Sequence, residues 1–205
     1  MQQQATRHGL TLSCVFATAF AAVLARWSGQ TQFLLNVPLF DRHDDHPDIG
    51  RAIADFTTLL LVECTDAPQL PFAEAARQFQ QGLHASIDRS AFPALEVLRE
   101  GRRQGHPRSA PVVFSSNLND AGFVPASFRE VFGELHDMLS QTPQVWLDHQ
   151  LYRVEDGLLL AWDSVVGLFA EGVLEAMFQA YDELLRRLAD SDWSVPQPLA
   201  LPLAQ

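Results

Sequence analysis

SQTPQVWLDHQLY, Ser140 to Tyr152, organises the rest of the chain. Residues 144–154 are rich in Val, Trp, Leu and Tyr and run into Glu155-Asp156-Gly157, a hairpin signal followed by a second apolar run, Leu158 to Trp162. That reading sets Asp148 in mid-strand. Side chains alternate across a strand, so Asp148 shares its face with Trp146, Gln150 and Tyr152, while Val145, Leu147 and Leu151 point the other way. One face is a core face and the other is mixed aromatic and polar. A carboxylate held between aromatic neighbours loses water on one side, the setting in which acid and base residues are found. A companion stretch, PVVFSSNLND (Pro111 to Asp120), reads as a strand over Pro111 to Leu118 that ends in a turn at Asn119-Asp120-Ala121-Gly122.

Outward from these two, buried strands alternate with helices. Thr11 or Ser13 caps a helix with Leu12, Phe16, Ala19, Phe20, Val23, Leu24 and Trp27 at three- and four-residue spacing, and Ser28-Gly29 ends it. Phe33 to Phe40 is a near-continuous apolar run of the kind covered on both faces. Asp41 to Gly50 is an acidic loop; its two histidines and four aspartates have no established ligand spacing, and it reads as solvated. Asp55 to Glu63 is a further strand, and Pro71 opens a helix striped by Phe72, Ala75, Ala76, Phe79, Leu83 and Ile87. A short helical turn at Leu95 to Leu98 leads into Arg99 to Arg108, a locally basic loop. Glu171 to Leu188 is the clearest helix, and from Asp190 the prolines at 196, 198 and 202 read as a linker. The segment before Leu139 is ambiguous by periodicity. Helices interleaved with buried strands give the fold class: α/β, a layered sandwich.

The totals narrow the class of function. A chain of 205 residues with near-average composition forms one sizeable core. A net charge of -11 argues against nucleic acid as a partner, because phosphate binding needs a positive surface. Cys14 and Cys64 have neither metal-ligand spacing nor the density of a disulfide scaffold, and fit a reducing, cytoplasmic setting. The longest apolar candidate, Leu10 to Leu24, is interrupted by Thr and Ser, and no basic stretch precedes a signal-like core, so no membrane or export role is expected.

Both leading stretches resemble the heterocyclization domains of non-ribosomal peptide synthetases, whose C-terminal half carries a PVVFTS-like strand and an SQTPQVxLDxQ-like strand. TLSCVFATAFAAVLARWSGQ (Thr11 to Gln30), FLLNVPLFDR (Phe33 to Arg42), DFTTLLLVE (Asp55 to Glu63) and WDSVVGLFAEGVLEAMFQAYDELLRRL (Trp162 to Leu188) are similar to further family segments, in the family's order. The resemblance implies one lobe, over 1–189, of the chloramphenicol-acetyltransferase-like condensation fold, with 190–205 a Pro-rich linker toward the next module domain. Such lobes pair as a V around the active-site tunnel. The first lobe's DxxxxD motif is absent from this sequence, and so is the HHxxxDG of ordinary condensation domains.

By the same resemblance the activity is condensation of a carrier-bound acyl group with carrier-bound Cys, Ser or Thr, then cyclodehydration to thiazoline or oxazoline, in siderophore biosynthesis. Asp148 takes the place of the family's catalytic Asp, and Ser115 stands where PVVFTS has Thr. Serine keeps the hydroxyl and lacks the β-methyl that fixes the threonine rotamer. Gln150 orients the carboxylate, and Asn36 and Asp55, at family motif positions, hold strands and loops. Asp41 replaces the Asn usual in the family's LFNR. No metal or redox cofactor is implied; substrates arrive on phosphopantetheine arms. The partners implied are the N-terminal lobe, upstream and downstream carrier domains and an adenylation domain. The isolated lobe is expected to be inactive, because half the tunnel lies on the other lobe. Two other readings stand beside this one: a scaffold lobe that docks carrier domains without catalysis, and a condensation lobe that makes an amide and closes no ring.

Overall fold

Five strands form one mixed sheet in the order β2-β1-β3-β4-β5: β1 Gln32–Phe40, β2 Thr57–Thr65, β3 Val112–Asn117, β4 Leu147–Val154 and β5 Gly157–Ser164. The computed structural model describes residues 1–40, 46–90, 92–118, 126–133, 139–154 and 157–199. β1 runs antiparallel to β2 and parallel to β3, β3 parallel to β4, and β4 antiparallel to β5. Parallel neighbours need long crossovers. β3 is reached from β2 through α3 (Phe72–Ile87) and α4 (Ala94–Arg103), and β4 from β3 through a segment holding α5 (Ala126–Phe132). α1 (Gln2–Arg7) and α2 (Leu12–Ser28) precede the sheet, and α6 (Val173–Asp190) follows it.

The layers follow from where the apolar side chains fall. Phe33, Leu35, Val62, Phe114, Leu147 and Leu151 from the strands join Phe20, Phe79 and Leu184 from α2, α3 and α6 in a single core cluster. Alternation sends the intervening strand residues to the opposite face, which these helices leave open. α2 is the central helix. Thr11 caps it by accepting from the Cys14 amide, and Gly29 closes it in the left-handed conformation, with a φ of 67°. Its burial is broader than the stripe its periodicity suggests, because α3 and α6 flank it while the sheet lies beneath. Thr18, buried in that helix, donates back to the Cys14 carbonyl at 2.7 Å.

Several expectations need correction. β1 reads as covered on both faces, yet only Leu35 in it is fully buried, since Leu34, Asn36 and Pro38 lie on the open side. Arg99 to Arg103 belong to α4 and not to a loop, with Arg99 and Arg103 paired to Glu96 and Glu100 three residues back. The segment expected as a linker begins packed against the lobe, as far as Leu199. Trp193 is fully buried against Phe72, its indole N–H donating to the Leu188 carbonyl at 2.9 Å, and its own carbonyl accepts from the Ala73 amide. The turn expected at 119–122, the first half of the acidic loop (41–45) and the hairpin tip at 155–156 lie outside the described residues.

His149 is the polar residue that the core face of β4 carries between Leu147 and Leu151. Its ring sits 4.7 Å from those of Phe20 and Phe114, centroid to centroid. Tyr181 of α6 gives its one hydroxyl proton to the Phe16 carbonyl at 3.2 Å, so the 2.9 Å contact between His149 Nε2 and Tyr181 assigns the proton there to the imidazole. Burial pushes the His149 pKa down to about 3, from an ordinary value of 6.5. Between those values the unfolded chain binds a proton that the folded chain does not, so stability falls as pH drops from about 6.5 toward 3. His149→Gln keeps a donor for Tyr181 and removes the titration. Urea midpoints measured over about pH 4 to 7 should fall less steeply with acid in that variant than in the parent.

Candidate active site

The register between β3 and β4 decides which polar side chains meet. Val113 pairs with Asp148, Ser115 with Gln150 and Asn117 with Tyr152, all on the open face; Phe114 and Ser116 pair with His149 and Leu151 on the helix side. Asn36 of β1 pairs with Val113, which brings it onto the same face two strands from Asp148. The cleft here has a volume of about 430 Å³, and its walls include Asn36, Asp55, Ser115, Asp148 and Gln150. All five residues singled out in the sequence thus meet in one place. Asp148 and Ser115 are diagonal neighbours, two residues apart along the ladder, about 8 Å between Cα atoms from strand spacing and rise. Among the described residues no hydrogen bond joins them directly, so a proton passing between them needs an intervening group.

Asp148 is 8% exposed and Gln150 4%, and a hydrogen-bond chain fixes both. The Tyr152 hydroxyl donates to Gln150 Oε1 at 3.2 Å. The Gln150 amide donates to Asp148 Oδ2 and to Asp163 Oδ2, each at 3.2 Å. Asp148 Oδ1 is buried with no hydrogen-bond partner among the described residues, and so is Asn36 Oδ1. A buried acceptor without a donor is costly, which marks both atoms as places where a bound molecule gains by supplying one. Burial raises the Tyr152 pKa, and the negative charges of Asp148 and Asp163 raise it further against the opposing hydrogen bond with Asn117. Its phenol therefore stays a donor. Asp55, at the exposed rim, accepts from the Thr57 amide at 2.8 Å, and hydrogen bonding with Thr57 holds its carboxyl below the usual range.

Trp146 does not flank Asp148 as the strand reading expects. β4 begins at Leu147, and Trp146 lies before it in a bend, 49% exposed. The carboxylate is enclosed by the sheet itself, with Val113 across from it on one side and Asp163 on the other. The loop before β4 supplies Ser140 and Thr142 to the cleft wall. It turns through Thr142-Pro143-Gln144-Val145, where the Val145 amide donates to the Thr142 carbonyl at 3.3 Å and Gln144 takes a φ of 66°. Asp163 was missed from sequence, although a signal for it existed. A two-residue connection after Val154 makes Val154 face Gly157, and counting back along the ladder sets Asp163 opposite Asp148. A second cleft, of about 410 Å³, lies toward α2 and α3 with Phe33, Phe72 and Phe79 among its walls, away from this network.

Comparison with known proteins follows the same lines as the geometry. The Condensation domain family matches residues 1–190. Pyochelin synthetase PchE from Pseudomonas aeruginosa is 68% identical over 205 residues, which is 100% of this chain and 14% of that protein. Phenyloxazoline synthase MbtB from Mycobacterium tuberculosis is 42% identical over 205 residues, covering 98% of this chain and 14% of the relative. The chain therefore spans about one seventh of the length of these relatives. Among solved structures, the EpoB cyclization-docking bidomain of a non-ribosomal peptide synthetase from Sorangium cellulosum superposes with a TM-score of 0.82 at 36% identity, over 94% of this chain and 39% of that one.

The two adjacent serines of β3 give a direct test of the register. Ser116 faces the helices and lies 2.8 Å from the Ser13 hydroxyl, whereas Ser115 faces the cleft. Ser116→Ala should lower stability by about 1 kcal/mol, and Ser115→Ala should change it by less than about 0.5 kcal/mol, both read from urea unfolding. The opposite ranking would mean that the two faces of β3 are exchanged.

Proposed function

The chain belongs to the condensation-domain family, and on that premise we propose that it is the C-terminal lobe of a heterocyclization domain, closing thiazoline or oxazoline rings on carrier-bound intermediates. The observation that carries the reading is the buried Asp148 carboxylate, one oxygen without a partner among the described residues, in the same cleft as the Ser115 hydroxyl. Two relatives, a phenyloxazoline synthase and a cyclization-docking bidomain, support ring closure over simple amide formation.

The chemistry asks for what those groups can supply. The amine of a carrier-bound Cys, Ser or Thr first attacks the upstream thioester, forming an amide and releasing the upstream arm's thiol, which takes up the amine proton. The side-chain thiol or hydroxyl then adds to that amide carbonyl, and the former carbonyl oxygen leaves as water, carrying away the side-chain proton and the amide N–H proton as the C=N bond of the ring forms. In this reading Asp148 Oδ1 takes the proton from the attacking side chain and returns it to the departing oxygen, and Ser115 donates to that oxygen while it carries charge. Gln150 holds the other carboxylate oxygen in place. Asn36 and Asp55 shape the cleft wall, Asp55 through its bond to the start of β2.

Cyclodehydration is redox-neutral and needs no intrinsic cofactor; the substrates come on phosphopantetheine arms of upstream and downstream carrier domains. The other partners in this reading are the N-terminal lobe, which completes the tunnel, and an adenylation domain reached through residues 190–205. The setting is a cytoplasmic assembly line, with a siderophore as the product class. No helix among the described residues is long and apolar enough to cross a membrane.

The test uses the complete domain with both carriers loaded, following linear amide and ring product separately. Asp148→Ala should leave amide formation in place and lower ring formation by roughly 100- to 10,000-fold, with a smaller fall for Ser115→Ala. Asp148→Asn, which keeps the shape and cannot act as a base, should be as slow as Asp148→Ala. Full ring formation in both alanine variants would defeat the assignment, and loss of neither product would favour a scaffold role.

A further inference from the structure

We propose that Asp163 is a positioning residue for ring closure: it fixes the Gln150 carboxamide and the loop at Ser140, and through them the direction in which Asp148 presents its free oxygen. The proposal rests on the heterocyclization reading of the cleft. Asp163 sits directly across the β4–β5 ladder from Asp148 and is not itself among the residues lining the cleft, so it acts on substrate only through others.

The hydrogen-bond inventory of Gln150 carries the argument. Its Oε1 accepts from the Tyr152 hydroxyl, which settles the amide orientation, since a flipped amide would aim its oxygen at two carboxylates. Its two N–H donors then have one acceptor each, Asp148 Oδ2 and Asp163 Oδ2. Remove Asp163 and a buried donor loses its acceptor, leaving the carboxamide free to turn toward other partners. Asp148 Oδ2 has no other partner than that carboxamide among the hydrogen bonds of the described residues, so the carboxylate loses its anchor together with Gln150. Asp163 Oδ2 also accepts from the Ser140 amide at 2.8 Å, which ties down the loop that brings Ser140 and Thr142 to the cleft. Both of these bonds end on the same oxygen. One neutral carbonyl oxygen can therefore replace the carboxylate, and this separates positioning from charge.

The experiment measures ring closure from preformed linear amide on the complete, carrier-loaded domain, for the parent, Asp163→Ala, Asp163→Asn and, as reference, Asp148→Ala. A displacement of the order of an ångström at a reacting group costs up to about 100-fold, so Asp163→Ala should lower kcat for ring closure by about 10- to 100-fold with the amide-forming rate and KM little changed. Asp163→Asn should recover most of that loss. Where Asp163→Ala does not fold, Gln150→Ala removes the same anchor from the other end and should show the same fall. Ring closure within about two-fold of the parent in Asp163→Ala or Gln150→Ala, while Asp148→Ala abolishes it, overturns the positioning role and leaves the reading of the cleft standing. An Asp163→Asn variant as slow as Asp163→Ala also overturns it, because charge would then be what matters. Ring closure undiminished in Asp148→Ala would remove the underlying reading, and this inference with it.

Discussion

The parallel register between β3 and β4 sorts the side chains of the central strands between core and cleft. A strand has only two faces, and the helices cover one of them, so whichever residues pair there are committed to the core. Phe114 opposite His149 and Leu147 opposite Val112 are held on the helix side, which forces Ser115, Asp148 and Gln150 to the other. A slip of one residue would drive Asp148 and Gln150 into the apolar layer of α2 and α6 and expose Leu147 and Leu151. Burying polar groups without partners costs several kcal/mol each, so the core enforces the polar cleft on its far side. The cleft geometry is in this sense a by-product of packing.

His149 strengthens that commitment. An imidazole at this depth needs a hydrogen-bond partner, and Tyr181 is the residue of α6 that provides it, itself anchored on the Phe16 carbonyl of α2. One short polar chain thus joins β4, α6 and α2, three elements far apart in sequence. Greasy contacts among Phe20, Leu184 and Leu151 would tolerate small slides of helix over sheet; a hydrogen bond of 2.9 Å tolerates much less. The two polar systems sit back to back across β4, with the neutral imidazole toward the helices and the carboxylates toward the cleft.

How much of this could be read from sequence depended on whether the information was local. Alternation along one strand suffices to put Asp148, Gln150 and Tyr152 on a common face, and it did. Which of Ser115 and Ser116 joins them depends on pairing between strands, and the family resemblance pointed to Ser115 where composition could not. Asp163 lay within reach, since the short connection after Val154 fixes the ladder arithmetically, yet an Asp beside a Trp in an apolar run carries no mark of its own. β1 misled because Leu34 and Pro38 are apolar and still face the open side. The role of His149 was hidden because its polar letter argues for the surface, and the helicity of α4 because its arginines read as a loop until their pairing with Glu96 and Glu100 is known.

The electrostatics of the cleft bear on what kind of help a reaction there can receive. Asp55 and Asp148 line it, Asp163 stands behind Gln150, and no Lys or Arg is among the described residues of its wall. These described residues of the wall disfavour a phosphate or a carboxylate and offer no counter-charge to a full oxyanion. The cleft suits a reaction whose difficulty is moving protons: an attacking group that must lose one, and an oxygen that must gain protons before it can leave as water. In the proposed ring closure the tetrahedral oxygen is relieved by protonation and not by a cation, so an acceptor with one free oxygen and a neutral hydroxyl donor are the groups that matter. Burial first, and the surrounding negative charge after it, keep the Tyr152 phenol in its donor form. That charge also explains why a carboxamide, uncharged and able to donate twice, stands between two carboxylates where a lysine would neutralise the base that the reaction requires.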